Sequence, residues 1–496
     1  MLSRSTLVGV SMAAALGLGV SSIARAEERT GGSDALRQAN PIQDRSLLAA
    51  VKAVVLPEVS KPVIHSRLAV EFRQALQHDP DYQGAIAERD AGVESLDQAL
   101  AALLPQISAS AQRSVNDTDS TSQTSLGPVE RSFSNYPAYN INLQVRQALY
   151  RPKSWANLAV GRAQSELAEF RLLAARQDLA VRLLSTHGDW SLAEASAITA
   201  EGLVKIYERL LGYAQRQFAA GDSTRTEVEV ARVRLDQAKS QLAEAQAARA
   251  AAHLAWTQIT GASRSGSADS ALTLSSQAAE FLPLALPGLA RLQESALATN
   301  PLLRAQKTGL LAARDALRRA QAERQPSADL YASRSQSKSA FDNTIGTEFR
   351  TTQIGVQVTV PIYTGGAIDS GIRQAQANVR RAESELNSTM ARLLLQIERD
   401  WYGLEAARAE AAAQRQVIAA MRIVTEAAIR GRAAGVAARG EEEQAMIQLL
   451  SAQRSLAGAS ARALTSWARL VAALGTLDAD SLGDLDRRAI VGTAVR

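Results

Sequence analysis

The side chains that could carry chemistry in this sequence are few and widely spaced. The four histidines do not have the spacing of metal ligands, and no cysteine is present to act as a nucleophile. No glycine-rich phosphate loop follows a predicted strand. We therefore expect no enzymatic activity, no cofactor and no metal ion. The histidines are His65, His78, His187 and His253.

The densest group of ionisable residues is the acidic run Glu441, Glu442 and Glu443, which precedes a long helical pattern. Three carboxylates in the first turn of a helix are favoured by the helix dipole and are usually solvated. The same carboxylates, held close together around a narrow opening, would repel one another, attract cations and screen anions. Taken alone, the run is compatible with both interpretations.

The N-terminus has the order of a secretory signal peptide: Arg4, an apolar stretch over residues 7–20, and Ala24-Arg25-Ala26 before Glu27. We predict a signal peptide over residues 1–26 and export of the remainder. Without a cysteine, no lipid can be attached behind that signal. Since no later stretch has the 18 or so apolar residues of a membrane helix, any spanning segment is expected to be a β-strand in a closed barrel.

Composition and helix breakers predict long, closely packed helices. Hydrophobic residues make up 46% of the chain but aromatic residues only 4%, and alanine is abundant. Helices are predicted over Asp81–Leu104, Pro152–Phe218 and Thr224–Thr260, the second being roughly 100 Å long at 1.5 Å per residue. A turn at Gly221 separates the last two. The return helix has an apolar seam at Val228, Ala231, Leu235, Ala238, Leu242 and Ala245.

Matching residues recur 211 to 221 positions apart, which indicates an internal duplication. The chain is predicted to contain repeat 1 over residues 68–261 and repeat 2 over residues 289–476, each with a helix, two strands and two long helices. A connector over residues 262–288 lies at the waist, with an N-terminal extension over 27–67 and a C-terminal tail over 477–496. The matching pairs are Pro80 and Pro301, Pro105 and Pro326, Trp190 and Trp401, Gly221 and Gly435, and Leu235 and Leu449.

Each repeat contains a stretch in which apolar and polar residues alternate, residues 140–146 and 353–360, preceded by a weaker one at 106–114 and 328–337. A soluble, half-buried sheet would give the same pattern. Strands of about ten residues with a fully polar face fit a membrane barrel better. Four strands per chain are too few to close a barrel, so several subunits are expected. The polar segments Val115–Pro137 and Lys338–Thr351 are predicted to be extracellular loops.

These motifs resemble those of the TolC-like family of outer-membrane efflux and secretion ducts, over residues 68 to 476. The resemblance implies a mainly α-helical chain with membrane β-strands. Three chains would form a homotrimer with a twelve-stranded barrel, continuous with a coiled-coil α-helical tunnel through the periplasm. The tunnel tip would dock on an inner-membrane transporter and its periplasmic adaptor. The motifs are HDP and NP at helix starts, LLPQ before the first strand, QALYRP and VPIYTGG after the second strands, and FAAGDSTRTEVEVAR at the first tip.

The resemblance also assigns candidate site residues. Family members close the tip with carboxylates in a pattern resembling G-x-R-T-x-x-D-V-L-D-A, where this chain reads GVAARGEEEQA. Glu441 stands at the first acidic position, and Gln444 replaces the second. A ring of three Glu441 side chains, with Glu442 and Glu443 near it, is the predicted aperture. Glu227 stands six residues after Gly221, as Glu441 does after Gly435. The predicted strand-to-helix turns are at Pro152, Pro361, Gly365 and Gly366.

The expected function is therefore an exit duct for type I protein secretion, small-molecule efflux, or both. The HDP and QALYRP motifs and the absence of a lipid-bearing cysteine favour type I secretion. The alternative is a periplasmic coiled-coil scaffold without a channel. The paired amphipathic strands and the glycines between strand and helix argue against that alternative.

Overall fold

The computed structural model describes residues 67–125, 127–261, 288–339, 346–433 and 439–485. The predicted signal peptide, the turn at Gly435, and nearly all of the N-terminal extension and the connector lie outside these residues.

The described residues repeat one order of elements twice, as the matching residues predict. In each repeat, two short helices are followed by two strands and two long helices. The first set is α1 (Arg67–His78), α2 (Pro80–Ala101), β1 (Gln106–Thr124), β2 (Gly127–Tyr150), α3 (Pro152–Ala220) and α4 (Arg225–Thr260). The second set is α5 (Leu289–Thr299), α6 (Pro301–Ala322), β3 (Ser327–Lys338), β4 (Glu348–Thr359), α7 (Ala367–Ala433) and α8 (Arg439–Ala473). A short helical segment follows at 479–485.

Equivalent caps begin α2 and α6. The side chain of Asp79 accepts a hydrogen bond from the Tyr82 N–H, and that of Asn300 accepts one from the Leu303 N–H. Proline occupies the first helical position after each cap, where its missing N–H costs nothing. These caps explain why the HDP and NP motifs begin helices.

The return helices of the two repeats, α4 and α8, also end in the same way. α4 ends at Gly261, whose φ is +67°, and a Cβ added there would lie 2.5 Å from the His78 ring. Gly475, which follows α8, has a φ of +72°, and its added Cβ would lie 3.0 Å from Pro301. In each repeat a left-handed glycine therefore lets the return helix end against the corner before the second short helix.

The four strands form one antiparallel sheet in the order β1-β2-β3-β4. The β2–β3 pairing joins the two repeats, with Val145 opposite Ala332. Because side chains alternate between faces, the register places an apolar row on one face and a polar row on the other. The apolar row is Ile107, Val145, Ala332 and Ile354, and the polar row is Ser108, Gln144, Ser333 and Gln353.

The first predicted extracellular loop is mostly strand. Within Val115–Pro137, β1 continues to Thr124 and β2 begins at Gly127, so the hairpin extends well past the β3–β4 hairpin. Its residues are mostly polar on both faces, so no apolar alternation marks it in the sequence. In the second predicted loop, Lys338–Thr351, β4 begins at Glu348.

The helices pack around α3, which lies along α2, α4, α6 and α8. The seam of α4 is confirmed, since all six of its seam residues are buried or half-buried. The main core combines α1, α3, α7 and α8 with the start of the predicted tail, whose Leu477, Leu482 and Leu485 are buried. No helix among the described residues has the length and apolar character needed to cross a membrane.

Candidate functional site

The apolar face of the sheet is uncovered in the single chain. Ile107 is 71% exposed and Ile354 is 74% exposed, and Leu143 and Val356 are about half exposed, whereas Val145 is half-buried. A half-buried soluble sheet would have this face covered, and in the single chain no element that the structure describes covers it. The arrangement suits a sheet with lipid on one side and water on the other.

The two repeats build the connections between strand and long helix differently. β2 passes into α3 through Arg151 alone, with Pro152 at the first helical position. β4 is followed by seven residues before α7, and there Gly365 and Gly366 both have positive φ angles. Glycine adopts that conformation at little cost, which explains the TGG motif.

The tip turn of repeat 1 is a compact capped connection. Gly221 ends α3 with a φ of +83°. The Thr224 side chain accepts a hydrogen bond from the Glu227 N–H, and the Ser223 hydroxyl donates to the Glu227 carboxylate at 2.5 Å. Glu227 is thus part of the helix cap that begins α4.

The acidic run of repeat 2 splits into two environments. Glu441 and Gln444 are exposed at the start of α8, whereas Glu442 and Glu443 are 4% and 7% exposed. The buried face of α8 includes Ala445, Ala452, Leu456 and Ala459, and this face forms the α8 seam. Glu442 lies three residues before Ala445, so it continues this seam backwards. In the single chain the structure brings Glu442 and Glu443 against α3 and leaves only Glu441 of the three open to solvent.

Glu442 and Glu443 face a groove between α8 and a basic stripe on α3. The groove has a volume of about 730 Å³. On α3 it is lined by the basic residues Lys205, Arg209 and Arg216, with one acidic residue, Glu208, among them. Arg209 also donates to the sulfur of Met446 at 3.5 Å. Carboxylates of one coiled coil thus lie beside cations of the other, close to the tip.

Sequence reasoning missed a buried pair at the waist. His187 Nε2 lies 2.5 Å from Glu71 Oε2, and both residues are buried. Trp190 and Trp256 pack beside the imidazole with their ring centroids 5.4 Å apart. The pair fastens α1 to α3. No sequence spacing identifies it, since Glu71 and His187 lie 116 residues apart.

A second ion pair joins the corner of repeat 1 to α3. Two nitrogens of Arg182 each donate to the Asp79 carboxylate at 2.9 Å. Burial raises the pKa of Asp79, but the hydrogen bonds from Arg182 and from the Tyr82 N–H outweigh it, so the pKa is lowered overall. The same hydrogen bond to Asp79 raises the pKa of Arg182.

Asp400 on α7 has the opposite shift. It is 4% exposed, and burial raises its pKa even though Gln396 donates to it and Arg469 lies 3.8 Å away. Its counterpart in repeat 1, Asp189, is exposed. Within the described ranges, no group of three His, Asp or Glu side chains has a metal-binding arrangement.

Known proteins similar to this chain are outer-membrane and secretion proteins. Alkaline protease secretion protein AprF of Pseudomonas aeruginosa is 29% identical over 407 residues, covering 82% of this chain and 84% of AprF. Proteases secretion protein PrtF of Dickeya chrysanthemi is 26% identical over 416 residues, covering 83% of this chain and 88% of PrtF. The crystal structure of the outer membrane protein VceC from Vibrio cholerae superposes with a TM-score of 0.65 at 19% identity, covering 82% of this chain and 96% of VceC.

The family comparison agrees with the duplication. The model of the family described as outer membrane efflux protein matches residues 72–262 and 292–476, one segment for each repeat. Together these segments make up well over half of the chain. The uncovered sheet face, the two long helical pairs and the duplicated match all agree: the chain belongs to the outer membrane efflux protein family.

Proposed function

We propose that this protein is the outer-membrane channel of an export system, and that it provides an exit duct across the periplasm for secreted proteins. The observation that carries the proposal is the four-stranded sheet, which has a largely open apolar row across one face and a polar row at the same level on the other. Such a sheet requires lipid outside and water inside. The family membership and the names of AprF and PrtF favour protein secretion over small-molecule efflux.

Three chains would be needed for this duct. Both β1 and β4 are edge strands in the single chain, and exposed edges are unfavourable in a membrane. Twelve strands from a homotrimer would close a barrel and leave no edge. The signal peptide at residues 1–26 would deliver the chain to the periplasm, and the helical tip would contact a periplasmic adaptor and an inner-membrane transporter.

We propose that the tip is closed in two layers. Glu441, exposed at the start of α8, would form a ring of three carboxylates that narrows the opening and attracts cations. Glu442 and Glu443 would act behind it, holding α8 against the basic stripe of α3. Opening would then require α8 to separate from α3.

Single-channel recording in a planar bilayer tests this function. Wild-type protein should give a small conductance that multivalent cations block from the side of the helical tip. Glu441→Ala should conduct more and resist the block. Glu227→Ala is the matched control, since it removes the equivalent carboxylate of repeat 1, which is held in a helix cap.

The outcomes separate the duct from the scaffold alternative. If Glu441→Ala leaves both the conductance and the cation block unchanged, the protein still forms a duct, but Glu441 does not lie at the aperture. Folded protein that never forms a channel would overturn the proposal and favour a periplasmic scaffold. Restored secretion of a protease by cells that lack their own duct, when this chain is supplied with its transporter and adaptor, would support the secretion role.

A further inference from the structure

Four cationic side chains lie on the apolar face of the sheet, between the apolar row and the hairpin ends. Each is an even number of residues from a member of the apolar row, and side chains at even separations along a strand share a face. The strand pairing sets Arg113 and Lys338 on either side of Tyr139. We call the four the cationic patch: Arg113 on β1, Arg334 and Lys338 on β3, and Arg350 on β4.

The opposite face of the sheet has no charge at the same levels. Two rows of paired residues on that face interleave with the cationic patch, and both consist of uncharged side chains. Water on the polar face would solvate a cation, yet the cations lie only on the face proposed to meet lipid. The two rows are Ser110, Asn142, Ser335 and Thr351, and Gln112, Asn140, Ser337 and Phe349.

Most of the charge in the cationic patch is not neutralised. Glu348 lies opposite Lys338 in the strand pairing, but its carboxylate pairs with Arg350 at 3.0 Å. Arg113, Arg334 and Lys338 are exposed, and none of them forms an ion pair with a described residue. Three positive charges are therefore available to an anion.

Two tyrosines on this face indicate where the lipid headgroups lie. Tyr139 is opposite Lys338, and Tyr150, at the helix end of β2, is opposite Ala328. These two levels are ten positions apart on β3, roughly 33 Å at about 3.3 Å per residue. With a strand tilt of about 40°, they enclose a band about 25 Å tall, the height of the apolar band that aromatic residues flank in membrane barrels. Tyr139 and its cationic neighbours thus lie at the outer interface.

We propose that the cationic patch binds the phosphate groups of lipopolysaccharide, the anionic lipid of the outer leaflet. Arg113 and Lys338 are two strands apart, about 10 Å at a strand spacing of about 4.8 Å, so their long side chains can converge on one phosphate beside Tyr139. Arg334 lies deeper in the band, and its long side chain can extend its charge towards the same layer. This inference rests on the proposed function, since only a membrane channel would place this face in a leaflet.

Native mass spectrometry of the full-length trimer tests the proposal. The trimer is mixed with lipid A, the phosphorylated lipid part of lipopolysaccharide, or with lipid A from which the phosphates have been removed, and bound lipid is counted. Wild type should prefer the phosphorylated form. Inorganic phosphate in excess should not displace it, because the acyl chains also contact the apolar band.

Exchange of neighbouring residues supplies a variant with unchanged composition. Arg113→Gln/Lys338→Ser removes two cations, and adding Gln112→Arg/Ser337→Lys returns both charges on the polar face. Both variants should lose roughly 25-fold in retention of phosphorylated lipid A, because each Lys or Arg near an anionic lipid contributes about fivefold in affinity. The preference of wild type for phosphorylated lipid A tests the site even if these variants do not assemble.

The matched control removes two cations outside the sheet. Lys307→Gln/Arg314→Gln, at exposed positions on α6, should retain lipid A as wild type does. Equal retention by this control and the cation-loss variant would overturn the proposal, as would full retention by the exchanged variant. Equal binding of the phosphorylated and dephosphorylated lipids by wild type would also overturn it. Displacement by inorganic phosphate would overturn it in favour of a soluble anion.

Conductance of the same samples separates this inference from the function beneath it. Trimers that conduct but do not prefer phosphorylated lipid A would remove the headgroup site and leave the duct. Folded protein that forms no channels would remove the duct itself, and with it the reason to place this face in a leaflet.

Discussion

Two aspartates buried in the helical region have pKa values shifted in opposite directions, because only one has a close arginine partner. Asp79 receives two hydrogen bonds from Arg182, whereas the Arg469 nitrogen lies 3.8 Å from Asp400. A lowered folded-state pKa stabilises the fold above the unfolded pKa and loses that effect as the pH falls through the folded value. A carboxyl group whose pKa is raised in the folded state acts in reverse. Its contribution to stability is lost as the pH rises through its folded-state pKa.

Asp79→Asn should lower the free energy of unfolding by about 1–2 kcal/mol at neutral pH, since it breaks a charged hydrogen-bonded pair. The asparagine keeps the helix cap, as Asn300 does in repeat 2. Because the pKa of Asp79 is lowered from 3.8, the difference from wild type should be constant above that pH and shrink below it. Urea titrations followed by circular dichroism at several pH values measure this.

The second repeat supplies the control for that substitution. Leu393 stands where repeat 1 has Arg182, at the offset that relates Trp190 to Trp401. Asp79→Asn/Arg182→Leu therefore reproduces the pattern of repeat 2 and should recover part of the lost stability. Equal losses in the single and double variants would show that the two side chains are not coupled.

Asp400→Asn should increase stability at neutral pH by about 1 kcal/mol, because it removes a buried charge that its partner compensates incompletely. This gain in stability should vanish as the pH falls, since the Asp400 carboxyl of the wild type then becomes protonated and loses its charge. Thermal unfolding at neutral and acidic pH measures the change. Asp189→Asn, at the exposed counterpart, should have almost no effect, and an equal gain from it would contradict the argument from burial.

At the scale of elements, the sequence predicts the helices better than the strands. The first long helix was predicted over Pro152–Phe218 and extends over Pro152–Ala220, because proline and glycine fix its ends through backbone geometry. The hairpin beyond Val115 could not be predicted. Its polar residues on both faces leave no periodic signal, and its strands are defined by backbone pairing that only the fold reveals.

The candidate site was predictable only in part. Glu441 and the turn at Gly221 follow from motif positions, and the structure places both at helix ends. The burial of Glu442 could have been found by extending the α8 seam backwards from Leu449 through Ala445 in steps of four and three. The basic stripe of α3 that lies opposite could not be found, because pairing of α3 with α8 is a tertiary contact across the two repeats.

Gly221→Ala tests whether the tip turn needs a left-handed residue. Alanine at a φ of +83° should destabilise the turn by about 1–2 kcal/mol. Hydrogen exchange of the peptides around the tip should therefore become faster. Gly212→Ala lies within α3 of the same tip, where an added Cβ meets nothing, and it should slow exchange by favouring the helix. The same direction of change in both variants would contradict this account.

At the scale of the whole molecule, the two repeats contribute unlike parts to a shared sheet. Repeat 1 supplies a long hairpin of 19- and 24-residue strands, and repeat 2 a hairpin with two 12-residue strands. The apolar row nevertheless crosses all four strands without interruption. The sheet therefore keeps one apolar row across the duplication, while the extra length of repeat 1 projects beyond it.

Neighbouring residues on opposite faces of β4 provide the test of this surface. Ile354→Arg would place a charge in the apolar row and should cost about 2–4 kcal/mol if that row faces the middle of the bilayer. Gln353→Arg places the same charge on the polar face, where water would solvate it.

Assembly is measured as the amount of trimer in outer membranes, and ion selectivity is measured from the conductance in planar bilayers. Ile354→Arg should sharply reduce assembled trimer, whereas Gln353→Arg should assemble normally and shift ion selectivity towards anions. Loss of assembly from Gln353→Arg alone would mean that the polar face of the sheet is the one towards lipid. The apolar row would then face the inside of the barrel, which would contradict the proposal.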